Sequence, residues 1–372
     1  MSCRRALWFC LVLCASGLLL ALPAAPVPPA GKPVTLTGPS VQLSKALKSL
    51  GEQSGVPVVS ELGPDSDPVL KLDLRNVTFW QALDGIAKSA NARPSLYRGD
   101  GRVGLAARVG VGKVLEQPVS YDDIFRVALQ RLTAINDFEN GRRGYTVVLE
   151  VAWEPHFLAY FLETAPQNLV LRDEAGKAVP LDASGSRWER IDAAAATVEF
   201  NLPALPPATP GRRRADAIGL LKCALAVRGT PRLLSFEFAT LDKLKAEKKP
   251  VSQTKEGVAV SVGPVKLSQR HWTVQVTTVL PPGGVRFESN QFWDVKNQIY
   301  LLHRDGKTRL VSTDYFRETV GSSRRAVVNY HFTDTPNRKR GNPADWRVVY
   351  RAPAGFVEVP IPFEFKDVPL PP

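Results

Sequence analysis

Histidine is the side chain used most often as a general base or a metal ligand, and this chain of 372 residues has four. They are His156, His271, His303 and His331. None belongs to an H-x-H or H-E-x-x-H pattern, whereas a zinc site needs three or four converging ligands. Strand pairing could bring His303 and His331 together, but surface or structural roles explain their spacing more simply. We therefore predict no metal site and no cofactor.

Two further patterns fall short of known ligand-binding motifs. Gly112-Lys113 would close a phosphate-binding loop, but Ala107 replaces its first glycine and Val114 its final hydroxyl residue. Asp65–Asp67 begins like a calcium loop until Pro68 interrupts the ligand alternation. The Gly-Ser pairs of the chain lack the G-x-S-x-G context of a serine nucleophile. No catalytic residue is predicted, and a hydrolase with a spatial pair of carboxylates stays as an alternative.

Asp173 and Asp305 occupy matching positions ahead of Gly176 and Gly306. An aspartate shortly before a glycine fits a tight turn, because Asp bonds to nearby backbone and Gly adopts positive φ. We predict a turn between strands at both positions, with cation binding as the alternative.

The arginine-rich clusters are the best candidates for ligand contact. One follows TVEFNL (197–202) and the other follows AVVNYHF (326–332), so both fall after a similar strand. A basic surface attracts anionic polymers and headgroups, which predicts binding to an anionic polysaccharide or a membrane surface; solvated loops are the alternative. The candidate residues are Arg212, Arg213, Arg214, Arg338, Lys339 and Arg340.

The N-terminus reads as a targeting segment. Arg4 and Arg5 precede the apolar run 7–22, and the small residues 23–25 suit cleavage. A signal peptide over 1–25 is predicted, followed by a Pro-rich spacer at 26–33; a retained membrane anchor is the alternative, because the run is slightly short of a span. Export to the periplasm or cell surface makes nucleic acid an unexpected partner, despite the net charge of +12.

Removal of the signal would also remove three of the four cysteines. Cys223 alone remains, in an apolar run, so neither an intramolecular disulfide nor a multi-cysteine metal site is expected. A lone cysteine in a strand pattern is typical of a small core residue.

Residues 34–108 show the periodicities of a small α/β module. Apolar residues recur at helical spacing over 41–54, with Ser40 as the predicted N-cap and Gly55 as the C-cap. The segment 69–77 alternates like a half-buried strand, and Thr78–Gln81 has the sequence of a capping box for a second helix. Short strands are expected at 34–37, 56–59, 94–97 and 102–106.

This order resembles the STN-like domain, the short N-terminal docking domain of secretins and TonB-dependent receptors. The resemblance covers about 35–108 and is carried by Leu43, Leu47, Leu50, Gly55, Val56, Val58, Leu72, Leu74, Val77, Ala82, Leu83 and Ile86. It implies a cell-envelope module that binds protein partners and has no catalytic residues. The sequence downstream resembles neither a secretion pore nor a receptor barrel, so those functions are not implied.

The remaining chain contains a duplication. YTVVLEV (145–151) corresponds to WTVQVTT (272–278), and FEF occurs 91 residues after the first residue of each, at 236–238 and 363–365. Short alternating strands between Gly, Pro and Asp turns are typical of antiparallel β-sandwiches. The sequence predicts a first sandwich at 109–242, a basic linker at 243–256 and a second sandwich at 257–372.

The fold expected is therefore α+β and mostly β, with one small module followed by two tandem sandwiches. The function expected is that of a non-enzymatic, exported binding or scaffold protein that docks a cell-envelope protein through the small module.

Overall fold

Most described residues form β-strands, so the mostly-β architecture is confirmed. The computed structural model describes residues 30–63, 65–98, 102–108, 116–181, 185, 187–206, 215–285, 287–288, 291–320, 322–334 and 339–371. The predicted signal peptide lies outside these residues. Within them, no helix is both long enough and apolar enough to cross a membrane.

The small module contains two helices and two small sheets. Its elements are β1 (Val34–Gln42), α1 (Leu43–Ser54), β2 (Val58–Ser60), β3 (Val69–Val77), α2 (Phe79–Ser89), β4 (Ala92–Ser95) and β5 (Val103–Ala107). Strands β1 and β3 form an antiparallel ribbon, and the other sheet has the order β2-β5-β4. Both helices bury the apolar stripes that their spacing predicts, including Leu47 and Leu83.

Local signals set the helix ends in this module, with one exception. Gly55 ends α1 at φ 81°, and Thr78 and Gln81 form the complete capping box of α2. The prediction for Ser40 was wrong, because β1 continues through it and α1 begins only at Leu43. The first turn of α1 is bonded instead by Asp67, whose carboxylate accepts the backbone N–H and the hydroxyl of Ser44.

The first sandwich follows the module. Its strands before the second sandwich are β6 (Val119–Asp122), β7 (Phe125–Asp137), β8 (Arg142–Trp153), β9 (Leu158–Glu163), β10 (Gln167–Arg172), β11 (Trp188–Arg190), β12 (Ala195–Pro203) and β13 (Ala217–Thr230). One sheet has the order β12-β8-β7-β6. In the other, β13 pairs with both β9 and β10, and β11 lies beyond β9. Their inner faces enclose one core, which includes Val147 and Cys223.

The second sandwich repeats this arrangement. Its elements are β14 (Leu233–Thr240), α3 (Leu241–Ala246), β15 (Val251–Lys255), β16 (Val258–Leu267), β17 (Trp272–Val279), the 3-10 helix Trp293–Lys296, β18 (Gln298–His303), β19 (Arg309–Val311), β20 (Asp314–Glu318), β21 (Arg325–Phe332), the 3-10 helix Pro343–Asp345 and β22 (Trp346–Pro353). The sheets have the orders β14-β22-β18-β19 and β15-β16-β17-β21-β20. The duplicated strands β8 and β17 lie in equivalent positions. Each pairs with the strand that precedes an arginine-rich cluster, which is β12 for β8 and β21 for β17.

The last strand, β23 (Val357–Pro369), belongs to the first sandwich, and β14 belongs to the second. Phe363 lies opposite Cys223 in β13, and Phe236 lies opposite Tyr350 in β22. The predicted boundaries 109–242 and 257–372 were therefore wrong about these two strands. Alternation determines which side chains face a core, but it does not determine which neighbouring strand is paired.

A contiguous second sandwich, β14 to β22, is thus inserted between β13 and β23 of the first. The two connections that cross between sandwiches meet each other, since the backbone N–H of Ala354 donates to the carbonyl of Arg232 at 3.1 Å. The predicted linker 243–256 was also wrong in part. Leu244 of α3 is buried in the second core, and β15 pairs with β16.

An aromatic cluster joins the two sandwiches. Tyr160 of the first stacks edge-on against Phe356, with ring centroids 4.9 Å apart, and Phe356 in turn contacts Trp293 of the second. Lys296 crosses the junction and donates to the carbonyl of Ala159 at 2.5 Å. Burial lowers the pKa of this ammonium to about 8. The sandwiches therefore share a buried interface in addition to the two crossing connections.

Candidate functional site

The structure describes only part of the arginine-rich clusters. Arg212, Arg213, Arg214 and Arg338 lie outside the described residues, and Lys339 is exposed. Arg340 is only 7% exposed. The sequence predicts that Arg340 contacts an anionic ligand. The present partners of its guanidinium therefore bear on that prediction.

Arg340 makes internal contacts on every side. Its Nε donates to Asp334 Oδ1 at 3.0 Å, and its Nη2 donates to the carbonyl of Gln269 at 2.5 Å. The guanidinium carbon lies 5.2 Å from the ring centroid of Trp272. The Arg340 backbone N–H and guanidinium together lower the pKa of Asp334. Arg340 therefore closes the end of the second sandwich, and its side chain is engaged before any ligand arrives.

Strand pairing does not bring His303 and His331 together. His303 lies on β18 and His331 on β21, in different sheets. The ring of His331 instead lies beside that of His271, with centroids 5.1 Å apart, and its Nδ1 lies 3.0 Å from Thr273 Oγ1. Across the described ranges, no three side chains of metal-ligating type converge.

Asp173 and Asp305 form the turns that the sequence predicts. Asp305 Oδ1 accepts the backbone N–H groups of Lys307 and Thr308, both at 2.8 Å. Asp173 Oδ1 accepts the equivalent bonds from Ala175 and Lys177. The bonds to Thr308 hold the pKa of Asp305 well below its usual range. Turn geometry accounts for both carboxylates.

The junction between the small module and the first sandwich is a buried polar network. Trp80 of α2 donates its indole N–H to the carbonyl of Ile124 at 2.8 Å. One turn later, Asp84 Oδ2 accepts the Tyr121 hydroxyl at 2.6 Å and Arg126 Nε at 2.8 Å. Helix α2 is therefore bound to the sheet β12-β8-β7-β6 through Trp80 and Asp84.

Arg126 is the centre of this network. It is 2% exposed and bonds to Asp84 on one side and to Glu150 Oε1, at 3.1 Å, on the other. Gln130 donates to the second oxygen of Glu150. A buried guanidinium needs this degree of pairing, because an unpaired charge in a low-dielectric interior is strongly unfavourable. The network fixes the orientation of the module on the sandwich.

The sequence analysis did not identify this junction. Helix α2 has an apolar stripe made by Phe79, Leu83 and Ile86, and Trp80 lies off that stripe with Asp84 one turn away. A large aromatic residue outside the core stripe was a usable signal, because it requires a second surface to cover it. Arg126 gave no such signal, since a charged residue in an alternating strand normally faces solvent.

A second buried acid lies near the N-terminal segment 30–33. Glu154 is 0% exposed, and neither carboxylate oxygen has a hydrogen-bond partner within the described chain. His156 Nδ1 lies 3.3 Å from Glu154 Oε2 but without hydrogen-bond geometry. Above them, the backbone N–H of Gly31 donates to Asp123 Oδ1 at 2.9 Å. The segment thus covers a pair of neighbouring carboxyl groups.

Burial, together with the nearby Asp123 carboxylate, raises the pKa of Glu154 to about 7. Burial also lowers the pKa of His156, an effect that Lys32 of the covering segment reinforces and Asp123 opposes. Burial therefore favours the neutral form of both side chains.

A pH-dependent stability follows from Glu154. Its folded-state pKa lies above the ordinary value of 4.5 for a glutamate, so the folded protein binds the proton more tightly and loses stability as pH rises from about 4.5 to about 7. Replacement by the neutral isostere in Glu154→Gln should remove this loss, which stabilises the protein at pH 8 by up to about 2 kcal/mol after allowing for solvent screening. Urea unfolding between pH 4 and 8 measures the slope.

The exposed Glu139 supplies the matched control, because Glu139→Gln removes a carboxylate that already faces water. Its pH profile should follow that of the unmodified protein. Identical profiles for Glu154→Gln and Glu139→Gln would contradict the assignment of this pH dependence to the buried carboxyl.

Comparison with known proteins adds no relative to these observations. No protein-family model, curated protein or solved structure matches this chain. The resemblance of residues 35–108 to the STN-like domain therefore stays a prediction, and function has to be argued from the contacts described above.

Proposed function

We propose that this chain is an exported, non-enzymatic scaffold protein of the cell envelope that docks a protein partner through its small N-terminal module. The proposal combines the sequence resemblance of that module with the way in which its surfaces are used. The sandwiches then act as a rigid spacer that presents the module.

The observation that carries this proposal is the asymmetric use of the module's surface. Helix α2 is held on the first sandwich by Trp80 and by the pairing of Asp84 with Arg126. The β1–β3 ribbon, by contrast, pairs with no further strand of the described chain. An open strand edge provides backbone donors and acceptors to which a partner can add a strand. The module is therefore anchored on one side and available on the other.

Rigidity supports the same proposal. The inserted second sandwich, the shared aromatic cluster and the buried α2 junction hold the described segments of the chain together. A rigid body loses little conformational entropy when it binds, so the cost of ordering offsets little of the binding free energy of the interface.

Site-specific crosslinking in the native envelope tests docking by the ribbon. A photoreactive amino acid replaces Lys71, which is exposed on β3, or Lys177, which is exposed on the first sandwich. We expect one discrete protein adduct from position 71 and none from position 177, because only the ribbon meets the partner. Equal labelling from both positions, or none from position 71, would contradict docking by the ribbon.

The non-enzymatic part of the proposal has a separate test. The purified chain should show no turnover on polysaccharide and peptide panels. Turnover that a single carboxylate or histidine substitution abolishes would establish the hydrolase alternative instead. Binding of an anionic surface by the arginine-rich clusters is not needed for this proposal, since Arg340 is occupied by Asp334 and Gln269.

A further inference from the structure

A groove opens along one side of the second sandwich, between the edge strands of its two sheets. It has a volume of about 550 Å³ and lies among β18 and β19 of one sheet and β20 and β21 of the other. Strands β19 and β20 are each the last strand of their sheet. The volume falls within the range typical of small-molecule sites, roughly 300–1,000 Å³. The open side of the sandwich is therefore large enough for a ligand of a few rings.

Three tyrosines, Tyr300, Tyr315 and Tyr330, line this groove. Tyr315 is 53% exposed on β20, and its ring centroid lies 6.2 Å from that of the buried Tyr330. Tyr300 lies on the opposite wall, on β18. Aromatic rings with a polar tip offer a flat apolar face beside a hydrogen-bonding group. A sugar ring has the matching surface, with C–H groups on its faces and hydroxyls around its rim.

Two arginines of the groove are held by neutral groups. The guanidinium of Arg309 lies 4.8 Å from the centroid of the Tyr300 ring, and Arg351 Nη1 donates to Gln298 Oε1 at 3.2 Å. No carboxylate of the described chain lies within ion-pair distance of either side chain. Both guanidiniums are therefore positioned in advance and still carry an unpaired charge.

Other arginines of the same sandwich are used differently. Arg317 bonds to both oxygens of Asp294 at 3.0 Å, Arg304 pairs with Asp345, and Arg347 pairs with Glu237. The first of these pairs neutralises Asp294, a carboxylate of the groove. The contrast makes the charge of Arg309 and Arg351 available to a ligand.

Strand register places these two arginines on one face. Arg309 lies opposite Leu302 and Arg351 lies opposite Gln298, and positions 298, 300 and 302 alternate onto the same side of β18. Tyr300 therefore lies between the two guanidiniums along that face. A carboxylate could meet either guanidinium while an adjacent ring contacts a tyrosine, since Arg binds carboxylates through paired N–H groups.

We propose that the groove between β19 and β20 binds a short acidic oligosaccharide, with Tyr315 stacking on a sugar ring and Arg309 and Arg351 binding its carboxylates. Asp314 also lines the groove. Among the described residues its carboxylate bonds only to the backbone N–H of Tyr315, so it is available to sugar hydroxyls. The site is separate from the small module, and its existence does not depend on docking there.

Titration calorimetry on the full chain tests this site with three probes: trigalacturonate, a mannuronate trimer and a hyaluronan tetramer. At least one should bind at low salt and weaken as salt is added, because exposed charge pairs are screened. Arg309→Gln and Arg351→Gln should each weaken that probe about tenfold or more, and Tyr315→Ala should weaken it as well. The uncharged galactose trimer should bind more weakly than trigalacturonate.

Arg347→Gln is the matched control, because Arg347 lies on the same strand as Arg351 but is already paired with Glu237. It should leave binding unchanged, and all variants should keep the unfolding midpoint of the parent chain. The proposal is overturned if no acidic probe binds at millimolar concentration. It is also overturned if the Arg309→Gln/Arg351→Gln double variant binds as tightly as Arg347→Gln.

Discussion

A chain that ends at Ala354, and so lacks β23, is expected to lose the folded first sandwich while it keeps the second. Strand β23 pairs with β13 from Ala217 to Gly229. It also places Ile361, Phe363, Phe365 and Val368 in the first core, each 2% exposed or less. Burial of each such side chain stabilises a fold by about 1.5–3 kcal/mol. Their combined loss is comparable with the whole stability of a domain, about 5–15 kcal/mol.

Hydrogen exchange measures, segment by segment, whether the first sandwich is unfolded while the second stays folded. Amide protection should disappear from β7, β8 and β13 and persist in β16, β17 and β21. A chain that ends at Leu370 keeps β23 and serves as the control. Addition of a peptide that covers 356–372 should restore protection to β13, since β23 enters the sheet as a separate segment.

The same reasoning separates two fragments. Residues 231–355 contain every described strand of the second sandwich and should fold alone, whereas 257–372 lacks β14, α3 and β15 and should not. Two results would contradict the assignment of β23 to the first sandwich and β14 to the second. They are retained amide protection of β13 in the truncated chain and a folded 257–372 fragment.

Arg126→Ala is expected to destabilise the junction between the module and the first sandwich by about 3–5 kcal/mol. The substitution leaves Asp84 and Glu150 without their shared cation, and the Glu150 carboxyl lies in a site where burial already raises its pKa. The destabilisation comes from carboxylates that stay buried without a cation, rather than from the lost attraction to Arg126. Urea unfolding measures the total change, and exchange in α2 reports the release of the module.

Arg75 supplies a matched control, because its pairing with Asp73 is exposed on both sides. Arg75→Ala should change stability by less than about 0.5 kcal/mol. A double-mutant cycle with Asp84→Asn and Arg126→Met then isolates the pair, and the double variant should cost less than the sum of the singles. Equal changes in stability for Arg126→Ala and Arg75→Ala would contradict the anchoring of α2 by this network.

The small module could be predicted closely because its signals are local. The capping box at Thr78, the positive φ of Gly55 and the helical spacing of Leu43, Leu47 and Leu50 act within a few residues of one another. The sandwich strands were likewise predictable from alternation. Pairing was not, because Phe236 and Phe363 lie in equivalent sequence contexts and either sandwich could accept either strand.

The buried charged residues and the groove arginines escaped prediction for a related reason. Glu154 and Arg126 are buried by segments far away in sequence, residues 30–33 and α2, and nothing in their immediate neighbours reports that burial. The groove arginines were missed because Arg309 and Arg351 form no cluster in the sequence. Strand register alone brings them to either side of Tyr300.

The insertion of one sandwich within the other has a consequence for the emerging nascent chain. Domains commonly fold in order from the N-terminus during synthesis. Here β6 to β13 are synthesised well before β23. Until β23 is synthesised, the edge of β13 that pairs with it stays unpaired. The later sandwich has all of its strands as soon as β22 appears, and it can fold first. The first sandwich, by contrast, can be completed only after β23 has been synthesised.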